Sequence, residues 1–126
     1  MNNENTICPF CHLDREILDQ NEAAFAIFDK FPVSKGHVLI ISKTHLADFF
    51  SLSEKEQIKC LSLLNTVRDT IQLKYQPDGF NIGINIGKAG GQTIDHVHIH
   101  LIPRYSNDVE NPKGGVRGVI PSKKEY

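Results

Sequence analysis

The sequence has no long hydrophobic run and no excess of charge of either sign, and both absences narrow what it can be. No apolar stretch among its 126 residues reaches the length of a membrane-spanning helix, so we expect no membrane partner. Fourteen Lys and Arg residues are balanced by fifteen Asp and Glu residues, giving a formal net charge of −1. That balance argues against nucleic acid as the partner, although it leaves open the possibility of a local basic patch on the surface.

Export signals and a disulfide framework are also missing. Residues 1–6 show no basic region followed by an apolar stretch, so no signal peptide is expected. The three cysteines are an odd number, and two of them form Cys8-x-x-Cys11. In a chain without an export signal such a pair is more often a metal or redox element than a disulfide framework. We therefore expect a cytoplasmic protein.

The composition predicts one folded unit. Hydrophobic residues make up 40% and charged residues 23%, which suits a packed core. We expect a single domain over residues 1–126, with a core at about 8–104 and a C-terminal tail at 105–126. In that tail Asn111-Pro112-Lys113-Gly114-Gly115 is typical of a surface loop.

The order of elements predicts an α+β fold. Apolar segments at 25–29 and 37–41 are typical of strands. Ser53, with Glu56 three residues later, has the form of a capping box, and apolar residues then recur at helical spacing at Ile58, Leu61, Leu64, Val67 and Ile71. Residues 80–86 alternate between apolar and small or polar side chains, and residues 96–102 form a last strand stopped by Pro103. We expect a twisted antiparallel sheet with a long helix on one face.

Three histidines alternate along the last predicted strand. His96, His98 and His100 would share one face of the sheet, while the apolar residues between them enter the core. An imidazole that is largely uncharged near neutral pH is a good nucleophile. The glycine-rich segment 88–93 directly upstream could direct several backbone N–H groups at an anion such as a phosphate. The pattern therefore favours phosphoryl chemistry over a plain polar surface stripe.

These motifs together resemble the histidine triad (HIT) family of nucleotide hydrolases, in its bacterial-type branch with an N-terminal Cys-x-x-Cys. The resemblance rests on the alternating histidines, on Gly91-Gln92-Thr93, on Pro103-Arg104 and on the segment 34–40, and it covers about residues 8–104. It implies a HIT-like fold and a homodimer joined through the helix and a sheet edge. It also implies hydrolysis of nucleoside phosphoramidates or dinucleoside polyphosphates, with adenosine as the commonest base.

The resemblance assigns roles position by position. His98 would attack the α-phosphate to give a nucleotidyl-histidine that water then breaks, His100 would hold the phosphate oxygens, and His37 would orient the site or relay protons. Asp29 would bind the ribose hydroxyls. Asn85 and Thr93 would contact the phosphate region, with Gln92 nearby. A histidine at position 100 favours water as the acceptor, because the related nucleotidyl transferases carry glutamine there.

The cysteine pair predicts half of a zinc site. Two thiolates need two further ligands, and His12, His45 and His96 are all candidates on residue type alone. The resemblance implies that His45 and His96 complete the set with Cys8 and Cys11. The zinc would be structural, and catalysis would require no metal.

Two alternatives belong to other classes of protein. One is a sensor module that binds AMP-like ligands with little turnover. The other is a zinc-dependent adaptor in which the histidines bind metal. The complete triad together with Asn85 and the glycine-rich segment favours the enzyme over both.

Overall fold

The fold is described from a computed structural model that covers residues 8–126, so the expectation about a leader in residues 1–6 lies outside it. Five strands and one long helix form the scaffold: β1 Asp19–Gln20, β2 Ala24–Phe28, β3 Val38–Ser42, α1 Glu54–Tyr75, β4 Gly79–Ile84 and β5 His98–Arg104. Every strand pairing is antiparallel, and the sheet order is β1-β2-β3-β5-β4. The α+β class with an antiparallel sheet and one long helix is confirmed.

The helix covers one face of the sheet and leaves the other face for chemistry. Ile99 and Leu101 of β5 are fully buried and belong to the same core cluster as Val67 and Ile71 of α1. Because side chains alternate along a strand, His98 and His100 lie on the opposite face. The register pairs His98 with Ile41 and His100 with Leu39, at the centre of the sheet.

The start of α1 follows from the capping box. The Ser53 hydroxyl accepts from the Glu56 backbone N–H at 3.1 Å, and the Glu56 carboxylate accepts from the Ser53 N–H at 2.9 Å. The helix ends at Gln76, which adopts a left-handed conformation ahead of Pro77. Its core-facing side chains are Cys60, Leu63, Leu64, Val67 and Ile71. Ile58 and Leu61, predicted on the same face, are 58% and 49% exposed.

The sheet differs most from the expectation at β1 and β5, whereas β2, β3 and β4 begin and end within two residues of the predicted segments. The short β1 was not predicted, because two residues cannot show an alternating pattern. β5 spans His98–Arg104 rather than 96–102, so His96 precedes the strand and Pro103 lies inside it. β3 reaches only as far as the partner of Leu101, so β5 is paired on one side at Pro103. A strand paired on one side tolerates the missing N–H of proline.

The C-terminal segment folds back on β4 and β5. Arg104 donates to both carboxylate oxygens of Asp108, at 2.8 and 2.9 Å, and two 3₁₀ turns follow at Gly115–Val119 and Pro121–Lys123. The predicted boundary after residue 104 stays a prediction. Across residues 8–126 the helices are too short or too polar to cross a bilayer.

Candidate active site and metal centre

A cleft of about 550 Å³ opens on the sheet face opposite the helix. The strands, the loops that follow β2 and β4, and the N-terminal segment all contribute to its walls. Six of the predicted catalytic and substrate-binding residues line this cleft: Asp29, His37, Asn85, Thr93, His98 and His100. Chain segments far apart in sequence therefore bring the predicted catalytic and substrate-binding residues together.

His98 presents one free ring nitrogen in this cleft. Its Nδ1 lies 2.7 Å from the backbone carbonyl oxygen of His96. A carbonyl oxygen can only accept, so Nδ1 carries the proton and Nε2 of the neutral ring keeps its lone pair. The Phe10 ring packs edge-on against the His98 ring at a centroid distance of 5.1 Å. Both contacts restrict the ring to one tautomer and one orientation.

His37 has the opposite tautomer. The backbone N–H of Val33 donates to His37 Nδ1 at 3.1 Å, so in the neutral ring the proton lies on Nε2. That Nε2–H lies 3.0 Å from His100 Nδ1 and 3.3 Å from a carboxylate oxygen of Asp29. When it donates to His100 Nδ1, the proton of His100 is placed on Nε2. The three side chains form a short proton-relay cluster of Asp29, His37 and His100.

Burial keeps the histidines of this cluster uncharged at neutral pH. Loss of solvation lowers the pKa of His37, and the negative charge of Asp29 partly opposes that shift. Loss of solvation also lowers the pKa of His100 to about 4, with further lowering by the positive charges that His98 and His37 can carry. A neutral His100 can donate from one nitrogen and accept at the other, as the relay requires.

Asp29 has two contacts in the structure. One carboxylate oxygen accepts from the Phe31 backbone N–H at 2.8 Å, which holds the turn after β2. The other faces His37, and the side chain is 15% exposed in the cleft. Each carboxylate oxygen accepts more than one hydrogen bond, so Asp29 retains capacity for a ligand hydroxyl.

The glycine-rich segment differs from the expected anion cradle. The backbone N–H groups of Gly90, Gly91 and Gln92 donate to carbonyl oxygens of residues 87 and 88 within the loop. The Gln92 amide accepts from the Gly87 N–H and donates to the carbonyls of Ala47 and Ile94. Gln92 thus holds the loop and does not line the cleft, in contrast to its predicted place beside the phosphate.

The side chains of Asn85 and Thr93 are available to bind a ligand in the cleft. Both side chains line it, and neither makes a hydrogen bond to any of residues 8–126. Their amide and hydroxyl groups can therefore donate to phosphate oxygens. These two side chains are therefore available to bind a ligand, whereas the backbone N–H groups of Gly90, Gly91 and Gln92 bond within the loop.

A second cluster brings together Cys8, Cys11, His45 and His96, and its four donor atoms all lie within 4.8 Å of one another. His96 Nδ1 is 3.5 Å from Cys8 Sγ, 3.6 Å from Cys11 Sγ and 3.1 Å from His45 Nδ1. Two thiols and two imidazoles are the donors that zinc prefers in closed tetrahedral sites. His12, the third candidate, lines the cleft instead.

The orientation of His96 fits a metal ligand. Its Nε2 lies 2.7 Å from the carbonyl oxygen of Ser42, so Nε2 carries the proton and Nδ1 directs its lone pair at the two sulfurs and His45. Burial lowers the pKa of His96, which favours the neutral form that binds metal. The cluster could hold a metal ion.

The relay cluster also places three possible ligand atoms within 4.8 Å, but its chemistry does not fit a metal. A metal on His37 Nε2 would require the proton to move to Nδ1. Nδ1 already accepts the Val33 N–H, so two hydrogens would point at each other.

Several groups that shape the two clusters carry no side-chain signal in the sequence. They are the N–H of Val33 and the carbonyl oxygens of Ser42 and His96. Phe10 was also missed, although an apolar residue enclosed by Cys8-x-x-Cys11 could have marked a buried position.

Comparisons with known proteins show which family this chain belongs to. The HIT domain family matches residues 12–107. An uncharacterized HIT-like protein of Saccharolobus solfataricus is 30% identical over 95% of this chain and 90% of its own length. A bis(5'-adenosyl)-triphosphatase of Dictyostelium discoideum is 33% identical over 82% of this chain and 69% of its own length.

Among solved structures, a zinc-bound histidine triad family protein of Mycobacterium smegmatis is similar, with a TM-score of 0.75 and 30% identity. The match covers 82% of this chain and 79% of that one. The alternating histidines, the fold and the match over most of its length identify this chain as a member of the HIT domain family.

Proposed function

We propose that this protein is a nucleotide hydrolase that cleaves at the α-phosphate of nucleoside phosphoramidates or dinucleoside polyphosphates. The observation that carries the proposal is the free Nε2 lone pair of His98, held in a cleft that also contains a neutral histidine relay. The similarity to a bis(5'-adenosyl)-triphosphatase supports a nucleotide as the substrate.

In the first step His98 Nε2 attacks the α-phosphorus. The N–P bond forms as the bond between phosphorus and the leaving group breaks, and the electron pair departs with that group. His98 becomes a phosphorylated imidazolium. Its Nδ1–H donates to the carbonyl of His96, which stabilises the positive charge that develops on the ring.

Neighbouring side chains bind the charged phosphate oxygens. His100 Nε2–H, Asn85 and Thr93 are the available donors around the cleft. Asp29 accepts from the ribose hydroxyls while it also faces His37. In the second step water attacks phosphorus, the bond between phosphorus and His98 Nε2 breaks, and its electron pair returns to Nε2. The nucleoside monophosphate leaves, and the proton that water releases to the solvent balances the one that the leaving group takes up from it.

Cys8, Cys11, His45 and His96 would hold a structural zinc ion where β3 ends and β5 begins, at one end of two interior strands of the sheet. A closed zinc site supplies folding energy and leaves no open position for substrate. In this proposal, therefore, no metal takes part in the reaction.

We also propose a homodimer. β4 is an edge strand, and Ile82 on it is 48% exposed. Ile58, Leu61 and Leu73 of α1 are exposed as well, at 58%, 49% and 84%. A second copy placed against the helix and this edge would cover all four apolar side chains.

Incubation with an adenosine phosphoramidate and with diadenosine tetraphosphate, each with and without a chelator, tests the proposal. We expect AMP release from at least one substrate, unaffected by chelation over the assay period. Tight AMP binding with no release from either substrate would favour the sensor. Release that requires added metal would contradict the histidine mechanism.

A further inference from the structure

A second cavity, of about 390 Å³, lies on the same face of the sheet as the catalytic cleft. Its floor is formed by Asn81 of β4 and by Ile102 and Arg104 of β5. Its outer wall is formed by the C-terminal tail, which contributes Val109 and Lys124 among others. Nothing in the proposed chemistry at His98 uses this cavity.

The cavity continues the catalytic cleft along the strands. His100, Ile102 and Arg104 alternate on one face of β5, so His100 and Arg104 are about 13 Å apart along the strand. In the neighbouring strand Gly83 pairs with His100, and a Cβ atom added there would meet nothing within 4 Å. Open surface therefore leads from the catalytic histidines towards the second cavity, and Val33 lines both.

The tail is held in place by polar contacts rather than by a buried core. Arg117 donates to the carbonyl oxygens of Lys123 and Lys124, at 2.8 and 3.2 Å. Gly114 has a positive φ of 91°, and a Cβ there would collide with the Lys124 carbonyl. Yet Val116 and Val119 of the same segment are 60% and 77% exposed. The ordered tail buries little apolar surface of its own, and what it builds is the cavity wall.

The lining combines apolar surface with one uncompensated positive charge. Val33, Ile102 and Val109 supply the apolar part. Arg104 is neutralised by Asp108, whose pKa it holds far below the usual range. Lys124 has no such carboxylate and donates only to the carbonyl oxygen of Asn111 among residues 8–126.

The amide of Asn81 adds a directed donor. Its oxygen accepts from Arg104 at 2.6 Å, so the orientation of the amide is set and its nitrogen is left to donate. Apolar walls with a few oriented polar groups are the usual composition of a small-molecule site. The ammonium group of Lys124 beside such walls suits a ligand that carries both a phosphate and a flat apolar ring system.

We propose that this cavity binds the departing half of a dinucleoside polyphosphate, with the distal base against Val109 and Ile102 and a distal phosphate near Lys124. This inference rests on the proposed hydrolase function and deepens it, because it selects the dinucleoside polyphosphates over phosphoramidates with small leaving groups. The cavity supplies affinity for the second nucleotide only, since the first is held at Asp29 and the histidines.

The test measures binding to His98→Ala protein by calorimetry, with AMP and diadenosine tetraphosphate as ligands. We expect the His98→Ala protein, the parent of the variants below, to bind diadenosine tetraphosphate at least about tenfold more tightly than AMP. Val109→Trp, which fills the cavity, should remove most of that advantage and leave the affinity for AMP unchanged. Val119→Trp is the matched control, because Val119 lies on the tail outside the cavity, and it should alter neither affinity.

Charge is tested by a second matched pair. Lys124→Met should weaken tetraphosphate binding by about three- to tenfold, as expected for one lost charge-assisted contact, whereas Lys123→Met should not. Equal tetraphosphate affinity in Val109→Trp and Val119→Trp would overturn the inference, whereas AMP release by the protein with His98 intact would still support the hydrolase. Failure of the parent to bind either ligand would overturn both. Loss of the dimer in Val109→Trp without loss of tetraphosphate affinity would assign the cavity to a second copy instead, and would also overturn the inference.

Discussion

Two clusters that each contain buried histidines lie against this sheet, and the backbone group that hydrogen-bonds to His96 or to His37 gives each cluster its own chemistry. The carbonyl oxygen of Ser42 accepts a hydrogen bond from His96 Nε2. This bond holds the proton on Nε2 and leaves the lone pair of Nδ1 for a metal. The backbone N–H of Val33 donates a hydrogen bond to His37 Nδ1. The ring proton therefore lies on Nε2, where it can be donated. The backbone acceptor opposite His96 thus leaves a nitrogen lone pair that can bind a metal, and the backbone donor opposite His37 leaves a proton that the ring can donate.

Proximity of His, Cys and Asp side chains does not by itself indicate a metal site. Both clusters bring their donor atoms within 4.8 Å. Only the cluster with sulfur donors and a correctly oriented His96 satisfies the bonding needs of zinc. His98 belongs to neither cluster, but it is hydrogen-bonded to the metal cluster, since the carbonyl oxygen of His96 sets the tautomer of His98.

The largest effect is expected from the nucleophile. His98→Ala should lower kcat by at least about 10⁴-fold, because the covalent route is lost, while AMP binding survives. Steady-state hydrolysis and calorimetry on the same preparation check both parts. Substantial AMP release by the variant, above a mock-purified background, would sink the assignment of His98.

The metal cluster should contribute to stability more than to the chemical step. We expect about one zinc per chain, and its loss should lower the free energy of unfolding by about 4 kcal/mol where free zinc is a thousandfold above its dissociation constant. Elemental analysis and denaturant unfolding, with and without chelator, measure both quantities.

Matched variants sharpen the contrast between the clusters. The double variant Cys8→Ser, Cys11→Ser should lose the zinc, whereas His37→Ala should retain it, because the relay cluster does not fit a metal. Cys60→Ala is the cysteine control, since Cys60 is buried in the core and its thiol pKa is raised by burial to about 11. Zinc retained in the double variant would show that this site is wrong.

We expect the folded protein to lose stability in mild acid, because His100 of the relay cluster is held uncharged by folding. The pKa of His100 falls from an ordinary value of 6.5 to about 4 on folding, so the unfolded chain takes up the proton first as pH falls. The stability contributed by neutral His100 is fully present above pH 6.5 and is lost as the pH falls towards 4, by about 3 kcal/mol in total.

Unfolding free energies from pH 7 to pH 4 test this, with His100→Asn as the comparison. Other acid-sensitive groups, including the metal ligands, are present in both proteins, so their difference isolates His100. Parallel curves for the two proteins would contradict the assigned cause.

The smallest effect is expected at Asp29. Asp29→Asn keeps an oxygen for the Phe31 N–H but removes the charge, and should weaken AMP binding by about 1–3 kcal/mol. A 2′,3′-dideoxy analogue of AMP lacks both ribose hydroxyls, so its affinity should not change. Equal losses for the two ligands would mean that Asp29 acts only on the turn and on His37.

Local patterns were sufficient for much of the scaffold. The capping box at Ser53 and Glu56 placed the start of the helix, and alternation placed the strands, because each signal depends on neighbours within a few residues. The short β1 and the passage of β5 through Pro103 could not be predicted in that way. Two residues are too few for β1 to show an alternating pattern, and the pairing at Pro103 depends on β4, which is distant in sequence.

The order of residues along the chain was enough to define the available chemistry: alternating imidazoles, a Cys-x-x-Cys pair and a helix-backed sheet to hold them. The tautomers of His37, His96 and His98, the bonding of the Gln92 amide to its own loop and the second cavity beside the tail all depend on folding. A ring nitrogen takes or gives up its proton according to the backbone donor or acceptor opposite it, and folding brings that partner from elsewhere in the chain.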